Sequence, residues 1–231
     1  MSLRIESDRI LQGDMLVAGA VHIDDGKIAE TAEVTRTIDA HGLLVLPGIV
    51  DVHGDAFERQ IQPRPKVTFP LDIALLETDR QMVANGITTA YHGLSVSWEP
   101  GLRSLDSARA FLDALRALRP SLACDTKLHI RWETFALEAV DEIIGWIARE
   151  EAAIFAVNDH TTDLLNGSMR QVKVDEMAAR MGLTSKDFSA LIDRLRARQS
   201  EVPAAIAEAA ARARQAGARI LGHDEATPAE R

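Results

Sequence analysis

The chain contains very little cysteine, with Cys124 as the one thiol in 231 residues. A single thiol excludes an intramolecular disulfide framework and is typical of a protein from a reducing compartment. Cys124 is expected to be a small buried apolar side chain, not a nucleophile. The sequence also lacks a run of about 18 apolar residues and a charged segment followed by an apolar leader. We therefore predict a cytoplasmic protein that has no membrane partner.

Positive charge is in the minority in this sequence. Lysine and arginine number 26 against 35 aspartate and glutamate residues, which gives a formal net charge of −9. A nucleic-acid binder normally shows a basic face, so this balance argues against nucleic acid as a partner. An anionic substrate would have to meet a local cluster of positive side chains. With 46% hydrophobic residues, the chain can bury a sizeable core.

Two polar side chains, His53 and Asp55, close an apolar run that starts at Leu46 and is predicted to form a strand. Residues two apart face the same side of a strand, so the imidazole and the carboxylate converge on one point. Such a pair at the carboxyl end of a strand is typical of a hydrolytic metal bound at the mouth of a barrel. The alternative is a buried strand whose last polar residues only start a solvated loop.

Three further strand-like segments end in polar side chains of the same kinds. They are residues 127–132, followed by Glu133; residues 152–158, followed by Asp159 and His160; and residues 219–222, followed by His223 and Asp224. Helix-like sequence separates these segments, as in a parallel α/β sheet, whose strands all end on one face. We therefore expect the strand-end residues to share one pocket. Structural interpretations stay open, because His160 or Asp159 could cap a helix and Glu133 could be a surface carboxylate.

The chain is predicted to have two parts. Residues 1–46 are expected to form a separate β region, with a hairpin-type turn in which Gly26 supplies a positive φ. Residues 47–231 are expected to form the α/β part. Its predicted helices cover residues 72–85, 102–118, 136–149, 186–199 and 204–216. Residues 161–173 are polar and contain glycine, so they are predicted to be a long loop above the pocket.

The length of the α/β part fits about five strand-helix units. A (β/α)8 barrel takes roughly 250 residues, whereas 231 − 46 = 185 residues follow residue 46. A barrel cannot close with so few strands, and an open parallel edge would leave backbone groups unpaired and exposed. We therefore expect an incomplete barrel and a chain that is the N-terminal portion of a longer protein.

The polar segments of the α/β part also resemble a known family. Residues 53–59 (HGDAFER), 63–67 (PRPKV) and 69–72 (FPLD) are similar to the signature of the PhnM family in the amidohydrolase superfamily. Residues 86–89 (GITT), 128–133 (LHIRWE), 159–160 (DH) and 223–227 (HDEAT) continue the resemblance in the same order. The resemblance spans nearly the whole chain, which corresponds to the N-terminal part of the family's sequence.

This resemblance implies a metal-dependent hydrolase with a TIM-type (β/α)8 barrel and a composite β-sandwich, to which residues 1–46 would contribute. The implied reaction, in phosphonate metabolism, is hydrolysis of α-D-ribose 1-methylphosphonate 5-triphosphate to the 5-phosphate and diphosphate. A homodimer is implied as well. The family's late aspartate, a metal ligand and proton acceptor from the eighth strand, has no counterpart in this sequence. No catalytic side chain is therefore assigned beyond a metal-bound water.

The predicted metal ligands are the strand-end residues His53, Asp55, Glu133, His160 and His223. Nitrogen and oxygen donors without a thiolate favour zinc, with manganese or iron as alternatives, and one or two ions fit the set. Such ions would lower the pKa of a shared water and supply hydroxide near neutral pH. The His-x-Asp pair at residues 53–55 departs from the commoner His-x-His of the superfamily, but it is similar to the PhnM branch.

A basic cluster follows the first barrel strand. Arg59, Arg64 and Lys66 are predicted to lie in a loop stiffened by prolines at positions 63, 65 and 70. Guanidinium groups match phosphate oxygens bidentately, so this loop is predicted to bind a polyphosphate chain in a phosphorylated small-molecule substrate. A proline-rich surface loop with incidental charge is the alternative. His92, at the end of the second strand, is predicted to line the substrate site.

The end point of the third strand and the face that it turns inward decide which of its side chains reach the pocket. If Glu133 points into the barrel, the two-residue period points Arg131 and His129 inward as well. Buried positive charge needs a negatively charged partner, and the carboxylate of Asp51 is a candidate because Asp51 shares the face of His53. The alternative is that the strand ends earlier and that Glu133 belongs to a loop.

Two other functions stay open at this point. The first is an amidohydrolase acting on a C–N bond, as a deacetylase, deaminase or cyclic amidase, because the superfamily shares its metal ligands across many substrates. The second is a non-catalytic fragment or binding module.

Overall fold

The computed structural model describes residues 2–31, 33–64 and 66–223. The chain divides into two compact units, Met1–Ile49 and Val50–Arg231. Two features used in the predictions above, Pro65 of the proline-rich loop and residues 224–227 of the last motif, lie outside the described residues. No helix within the described ranges is long and apolar enough to span a membrane.

The first unit is built on a β-sheet. Its strands are β1 (Leu3–Gln12), β2 (Met15–Asp24), β3 (Lys27–Ala29), β4 (Arg36–Asp39) and β5 (Leu44–Val45). β1 pairs antiparallel with β2 and parallel with β4 and β5, while β3 pairs antiparallel with β2. The turn from β2 to β3 holds Asp25 at φ 46° and Gly26 at φ 75°, the left-handed pair of a type I′ hairpin. The predicted β region and its turn are therefore present.

The second unit is an α/β fold with a parallel half-barrel sheet. Its strands are β6 (Ile49–Gly54), β7 (Ile87–Val96), β8 (Asp125–Glu133), β9 (Ile154–Asn158) and β10 (Arg219–His223). They lie in the order β10-β9-β8-β7-β6. β7 pairs parallel with β8, β8 with β9 and β9 with β10. The alternation of strands and helices predicted from the sequence is confirmed for these five units.

Eight α-helices accompany this sheet in the described residues. They are α1 (Ala56–Ile61), α2 (Leu71–Ala84), α3 (Leu105–Leu118), α4 (Val140–Ala148), α5 (Thr161–Asn166), α6 (Gln171–Met181), α7 (Ser185–Ala197) and α8 (Val202–Gln215). α3 illustrates how sequence sets a helix. Ser104 caps its start by accepting from the backbone N–H of Ser107, and residues 108, 111, 112 and 115 form its buried apolar stripe.

β8 carries the core on one face and polar side chains on the other. Leu128, Ile130 and Trp132 are buried in the main apolar cluster of the unit. Burying each large apolar side chain contributes roughly 1.5–3 kcal/mol, so these residues hold the strand firmly in place. Because successive strand residues point to opposite faces, His129 and Arg131 lie together on the far side from that cluster.

Two segments predicted to be loops contain helices. Residues 161–173 form α5, a turn at Gly167 and the start of α6, so the prediction of one long loop is wrong. The helical signal of α6 is weak because the helix is polar, with Met177 as its buried residue. Arg59 lies on α1 and not in a loop, and the buried pair Phe57 and Ile61, four residues apart, is the signal for that helix.

A buried carboxylate of α2 holds the start of β8. Asp79 accepts hydrogen bonds from the backbone N–H groups of Ala123 (3.1 Å) and Cys124 (2.8 Å). Asp79→Ala would leave two donors without a partner, so it is expected to lower the free energy of unfolding by about 2 kcal/mol in urea titrations followed by circular dichroism. Asp72→Ala, at an exposed position of the same helix, should cost under about 1 kcal/mol. Equal losses would show that Asp79 contributes only its charge.

Candidate active site

Four imidazole rings from separate segments of the second unit lie close together. The centroid of the His53 ring is 4.8 Å from that of His129 and 5.0 Å from that of His223, and His160 lies 6.2 Å from His223. β6, β8 and β10 contribute three of these rings, and His160 follows β9 by two residues. Parallel strands end on one face of a sheet, and this rule explains how residues up to 170 positions apart become neighbours.

Hydrogen bonds fix the role of two of the ring nitrogens. His129 Nδ1 donates to the carbonyl oxygen of Val52 over 3.0 Å, since a carbonyl can only accept. The lone pair of His129 therefore lies on Nε2, which is buried and has no hydrogen-bond partner among the described residues. Burial lowers the pKa of His129, which keeps the ring neutral near pH 7. Arg131 Nη2 donates to Nε2 of His223 over 2.7 Å.

Glu133 lies beside His160 at the end of β8. Its Oε2 is 3.5 Å from Nδ1 of His160 and accepts a hydrogen bond from Nδ2 of Asn158 over 3.0 Å. The same Asn158 nitrogen is 3.0 Å from Nδ1 of His160. The pairing of β8 with β9 places Glu133 directly opposite Asn158, so the register of the sheet sets this contact. The structure thus brings His53, His160, His223 and Glu133 into one region.

Asp55 differs in exposure from the four histidines, which are buried or partly buried. It is exposed where β6 gives way to α1, and its backbone carbonyl accepts from the N–H of Glu58. The neighbouring carboxylate Asp51 turns back on its own strand, where Oδ1 accepts from the backbone N–H of His53 over 3.0 Å. The Asp51 carboxylate therefore fixes the backbone at His53.

A cavity of about 320 Å³ opens next to His160 and Glu133. Its cationic lining residues are Arg103, Arg131, Arg170, Lys173 and Arg180. Arg103 is bound by Glu58 (2.7 Å), and Arg180 is bound by Glu99 (2.7 Å). Arg170 and Lys173, at the start of α6, are exposed and form no ion pair with the described residues. Two further carboxylates, Asp163 and Glu176, also line the cavity.

The predicted substrate-binding residues lie elsewhere. Arg59 is exposed on α1, and Arg64 and Lys66 are exposed in the segment that follows it. Among the described residues, the lining of the cavity includes none of the three. His92 is buried against the rings of Phe57 and Phe111, with centroid distances of 5.1 and 6.1 Å. The structure therefore does not bring these four residues to the cavity.

The alternation of β7 explains the position of His92. The next residue, Gly93, faces the ring cluster, because a Cβ atom built on it would lie 3.3 Å from Cδ of Arg131 and 3.4 Å from Cε1 of His53. His92 must then face the opposite side, where α1 and α3 pack. Glycine at position 93 leaves room for the side chains of Arg131 and His53.

The donor atoms of the ring cluster fit a divalent cation in their chemistry. Imidazole nitrogens with a nearby carboxylate suit zinc, manganese or iron, and the orphaned Nε2 of His129 is a buried lone pair. Within the described residues, no group of three or more His, Cys, Asp and Glu side chains stands in the arrangement of a metal site. Arg131 engages His223 Nε2, so a ligand role for that nitrogen requires a rearrangement of the pair.

Three features of the site were not found from the sequence. Asn158 was missed, although it stands two residues before His160 and the strand period could have indicated it. Arg170 and Lys173 were missed because they lie in a segment predicted to be a loop. Their position beside the cavity depends on how α6 packs, and the packing of a helix cannot be predicted from a local sequence pattern.

Comparisons with known proteins identify one distant curated relative. No protein-family model matches the chain. The chain is 24% identical over 235 residues to the alpha-D-ribose 1-methylphosphonate 5-triphosphate diphosphatase of Escherichia coli (strain K12). This match covers 97% of the chain and 62% of the relative, so the chain spans less than two thirds of the relative's length. Among solved structures, a D-hydantoinase matches with 17% identity and a TM-score of 0.47, over 96% of this chain and 52% of the other.

Proposed function

We propose that the chain carries part of the active site of a metal-dependent hydrolase of the amidohydrolase type, built on a (β/α)8 barrel. One observation carries this proposal: the histidine cluster, formed by the rings of His53, His129, His160 and His223, lies next to a cavity that is lined by arginine and lysine side chains. The match to a diphosphatase, which is 24% identical and covers 97% of the chain, supports this proposal. The proposed reaction is release of diphosphate from α-D-ribose 1-methylphosphonate 5-triphosphate or a closely related ribose triphosphate.

The proposed metal ligands are His53, Asp55, His160 and His223, which would hold one or two divalent ions, with zinc as the first candidate. When bound, a divalent ion activates water for attack and neutralises charge on phosphoryl oxygens. The side chains of the chain itself have two tasks. Asp51 fixes the backbone at His53 through the hydrogen bond described above, and Arg131 orients His223 by donating to its Nε2.

The proposed phosphate partners are Arg170 and Lys173. Unlike Arg103 and Arg180, they are not bound by carboxylates of the described residues, so their charge is available to a ligand. Arginine binds phosphate oxygens bidentately, and lysine adds a compact charge. The N-terminus of α6 adds partial positive charge beside these two residues, and α6 has no acidic residue in its first turn. A phosphate chain reaching from His160 to the start of α6 would therefore meet favourable charge.

Substitutions at the start of α6 test where the phosphate groups bind. Arg170→Ala and Lys173→Ala are each expected to raise KM for the triphosphate about tenfold while kcat changes less than about threefold, because exposed cations contribute to binding. Arg64→Ala is the matched control, since Arg64 is exposed and outside the cavity lining. If KM rises in Arg64→Ala and not in the other two variants, the phosphate groups bind at the loop of Arg59, Arg64 and Lys66, as the sequence predicts.

The reaction class is tested with two substrates in parallel. Purified protein, supplied with zinc or manganese, is incubated with a ribose 5-triphosphate and with a cyclic amide. Diphosphate release without amide hydrolysis is the expected result. Amide hydrolysis without diphosphate release would assign the site to a C–N bond instead. A homodimer is also proposed, on the basis of the family resemblance, and light scattering after size-exclusion chromatography tests it.

A further inference from the structure

The Glu133 carboxylate is the centre of a dense set of hydrogen bonds. The residue is 6% exposed. Its Oε1 accepts from the backbone N–H of His160 (3.0 Å), the backbone N–H of Thr161 (3.1 Å) and Oγ1 of Thr161 (2.7 Å). Its Oε2 accepts from Nδ2 of Asn158 (3.0 Å). A carboxylate oxygen offers about two acceptor sites, so the three donors fill Oε1, while Oε2 accepts from Asn158 and lies 3.5 Å from Nδ1 of His160.

The donors all belong to one short turn between β9 and α5. Asn158 ends β9, His160 is the N-cap of α5, and Thr161 is the first residue of that helix. The side chain of His160 makes no capping hydrogen bond at the start of α5. The first N–H groups of a helix lack partners within it, and Glu133 satisfies two of the N–H groups here from the neighbouring strand. Glu133 therefore holds the backbone of His160 and Thr161 at the start of α5.

Thr161 extends the network to the wall of the cavity. The indole N–H of Trp98 donates to Oγ1 of Thr161 over 2.7 Å. Because an indole nitrogen can only donate, the hydroxyl accepts from Trp98 and gives its own hydrogen to Glu133. Trp98 lines the cavity and packs against a small apolar cluster that contains Phe135 and Leu195. The turn that carries His160 is thus tied both to β8 and to the apolar wall.

We propose that Glu133 is a positioning residue for His160 and not a metal ligand. Glu133 is one of the five metal ligands predicted from the sequence. Binding an ion at Oε1 would require this oxygen to give up hydrogen bonds that it now accepts from His160 and Thr161, whereas the positioning role uses the contacts as they stand. The inference rests on the proposed function in one respect: it assumes that His160 serves the active site.

Three variants separate the two roles. Glu133→Gln keeps the shape but brings its Nε2 against Nδ2 of Asn158, so two donors would face each other. Thr161→Val removes the hydroxyl that joins Trp98 to Glu133 while keeping the branched shape. The double variant Glu133→Gln, Asn158→Asp reverses donor and acceptor and restores a hydrogen bond between positions 133 and 158.

The readouts are bound metal by elemental analysis, kcat, and amide hydrogen exchange at residues 160–161. A positioning role predicts that Glu133→Gln and Thr161→Val keep the metal content of the parent protein, lose about tenfold in kcat, and exchange these amides at least about tenfold faster. It also predicts that the double variant recovers most of the loss. A ligand role predicts the reverse: metal is lost in both variants that carry the Glu133→Gln change, the double variant recovers nothing, and Thr161→Val behaves like the parent.

The exchange measurement keeps the inference separate from the proposed function. If the parent protein neither binds metal nor hydrolyses phosphate, the proposed function fails, yet faster exchange at residues 160–161 in Glu133→Gln and Thr161→Val still supports the positioning role. Unchanged exchange in both variants, with the fold intact by circular dichroism, would overturn it.

Discussion

Single substitutions His53→Ala and His223→Ala are each expected to reduce kcat for diphosphate release by on the order of 10³-fold, about 4 kcal/mol of activation free energy. The two rings stack with centroids 5.0 Å apart, and Arg131 donates to His223 over 2.7 Å. Removing either ring takes away one of the proposed metal ligands and one wall of the cluster. Initial rates at saturating substrate and metal are the measurement.

The control for these variants is His41→Ala. His41 is exposed in the first unit, where its Nδ1 lies 2.7 Å from Oδ1 of Asp39. Activity of His41→Ala is expected to stay within about twofold of the parent, because this ring belongs to a solvated turn. Circular dichroism of all three variants shows whether the fold is kept. A His53→Ala variant that folds and keeps full activity would contradict a role for the cluster in hydrolysis.

The second large effect is a loss of stability in mild acid that depends on His92. The ring is 2% exposed between Phe57 and Phe111, and its Nδ1 has no hydrogen-bond partner among the described residues. Burial lowers the pKa of His92 from 6.5 to about 4. A folded-state pKa below the unfolded value means that the unfolded chain takes up a proton first as the pH falls. Stability is therefore lost between pH 6.5 and pH 4.

At pH 5 this linkage costs about 2 kcal/mol relative to pH 7.5, from the pKa values of 6.5 unfolded and about 4 folded. His92→Phe removes the titrating group and keeps an aromatic ring in an aromatic environment. Urea unfolding of both proteins at the two pH values is the measurement. The variant should lose about 2 kcal/mol less than the parent between pH 7.5 and pH 5. Equal losses in the two proteins would show that His92 does not titrate as a buried ring.

The sequence was sufficient to predict the elements of the fold that depend on a local pattern of residues. The strand that ends at Glu133 and the helical stripe of α3 follow from periods of two and 3.6 residues. The collection of His53, His160 and His223 in one region followed from a single topological rule, the shared direction of parallel strands. These features need no knowledge of which side chains touch.

The position of His92 could not be predicted in this way. A strand in the interior of a parallel sheet is buried on both faces, so its sequence does not reveal which face a given residue takes. β7 is buried along residues 92–96, and the choice between His92 and Gly93 for the face of His53 depends on the strand's placement in the sheet. The prediction that His92 lines the substrate site required it to share the face of His53, whereas in this structure Gly93 lies on that face and His92 packs against Phe57 and Phe111.

The role of Glu133 could not be predicted from the sequence for a different reason. Two of the donors to its carboxylate are the backbone N–H groups of residues 160 and 161, and backbone N–H groups exist at nearly every position of any sequence. Only the register that sets Glu133 opposite Asn158 turns them toward this carboxylate. Arg170 and Lys173 reach the cavity through the packing of α6, which is equally remote from any local pattern.

Metal content per chain, measured by elemental analysis on the purified protein and on a His53→Ala, His223→Ala double variant, tests the proposed hydrolase most directly. One or two equivalents of a divalent metal in the parent protein, and none in a double variant that keeps its circular dichroism spectrum, is the predicted result. The same metal content in both proteins, or diphosphate release from a parent protein stripped of metal by a chelator, would contradict the assignment of the histidine cluster as a metal centre.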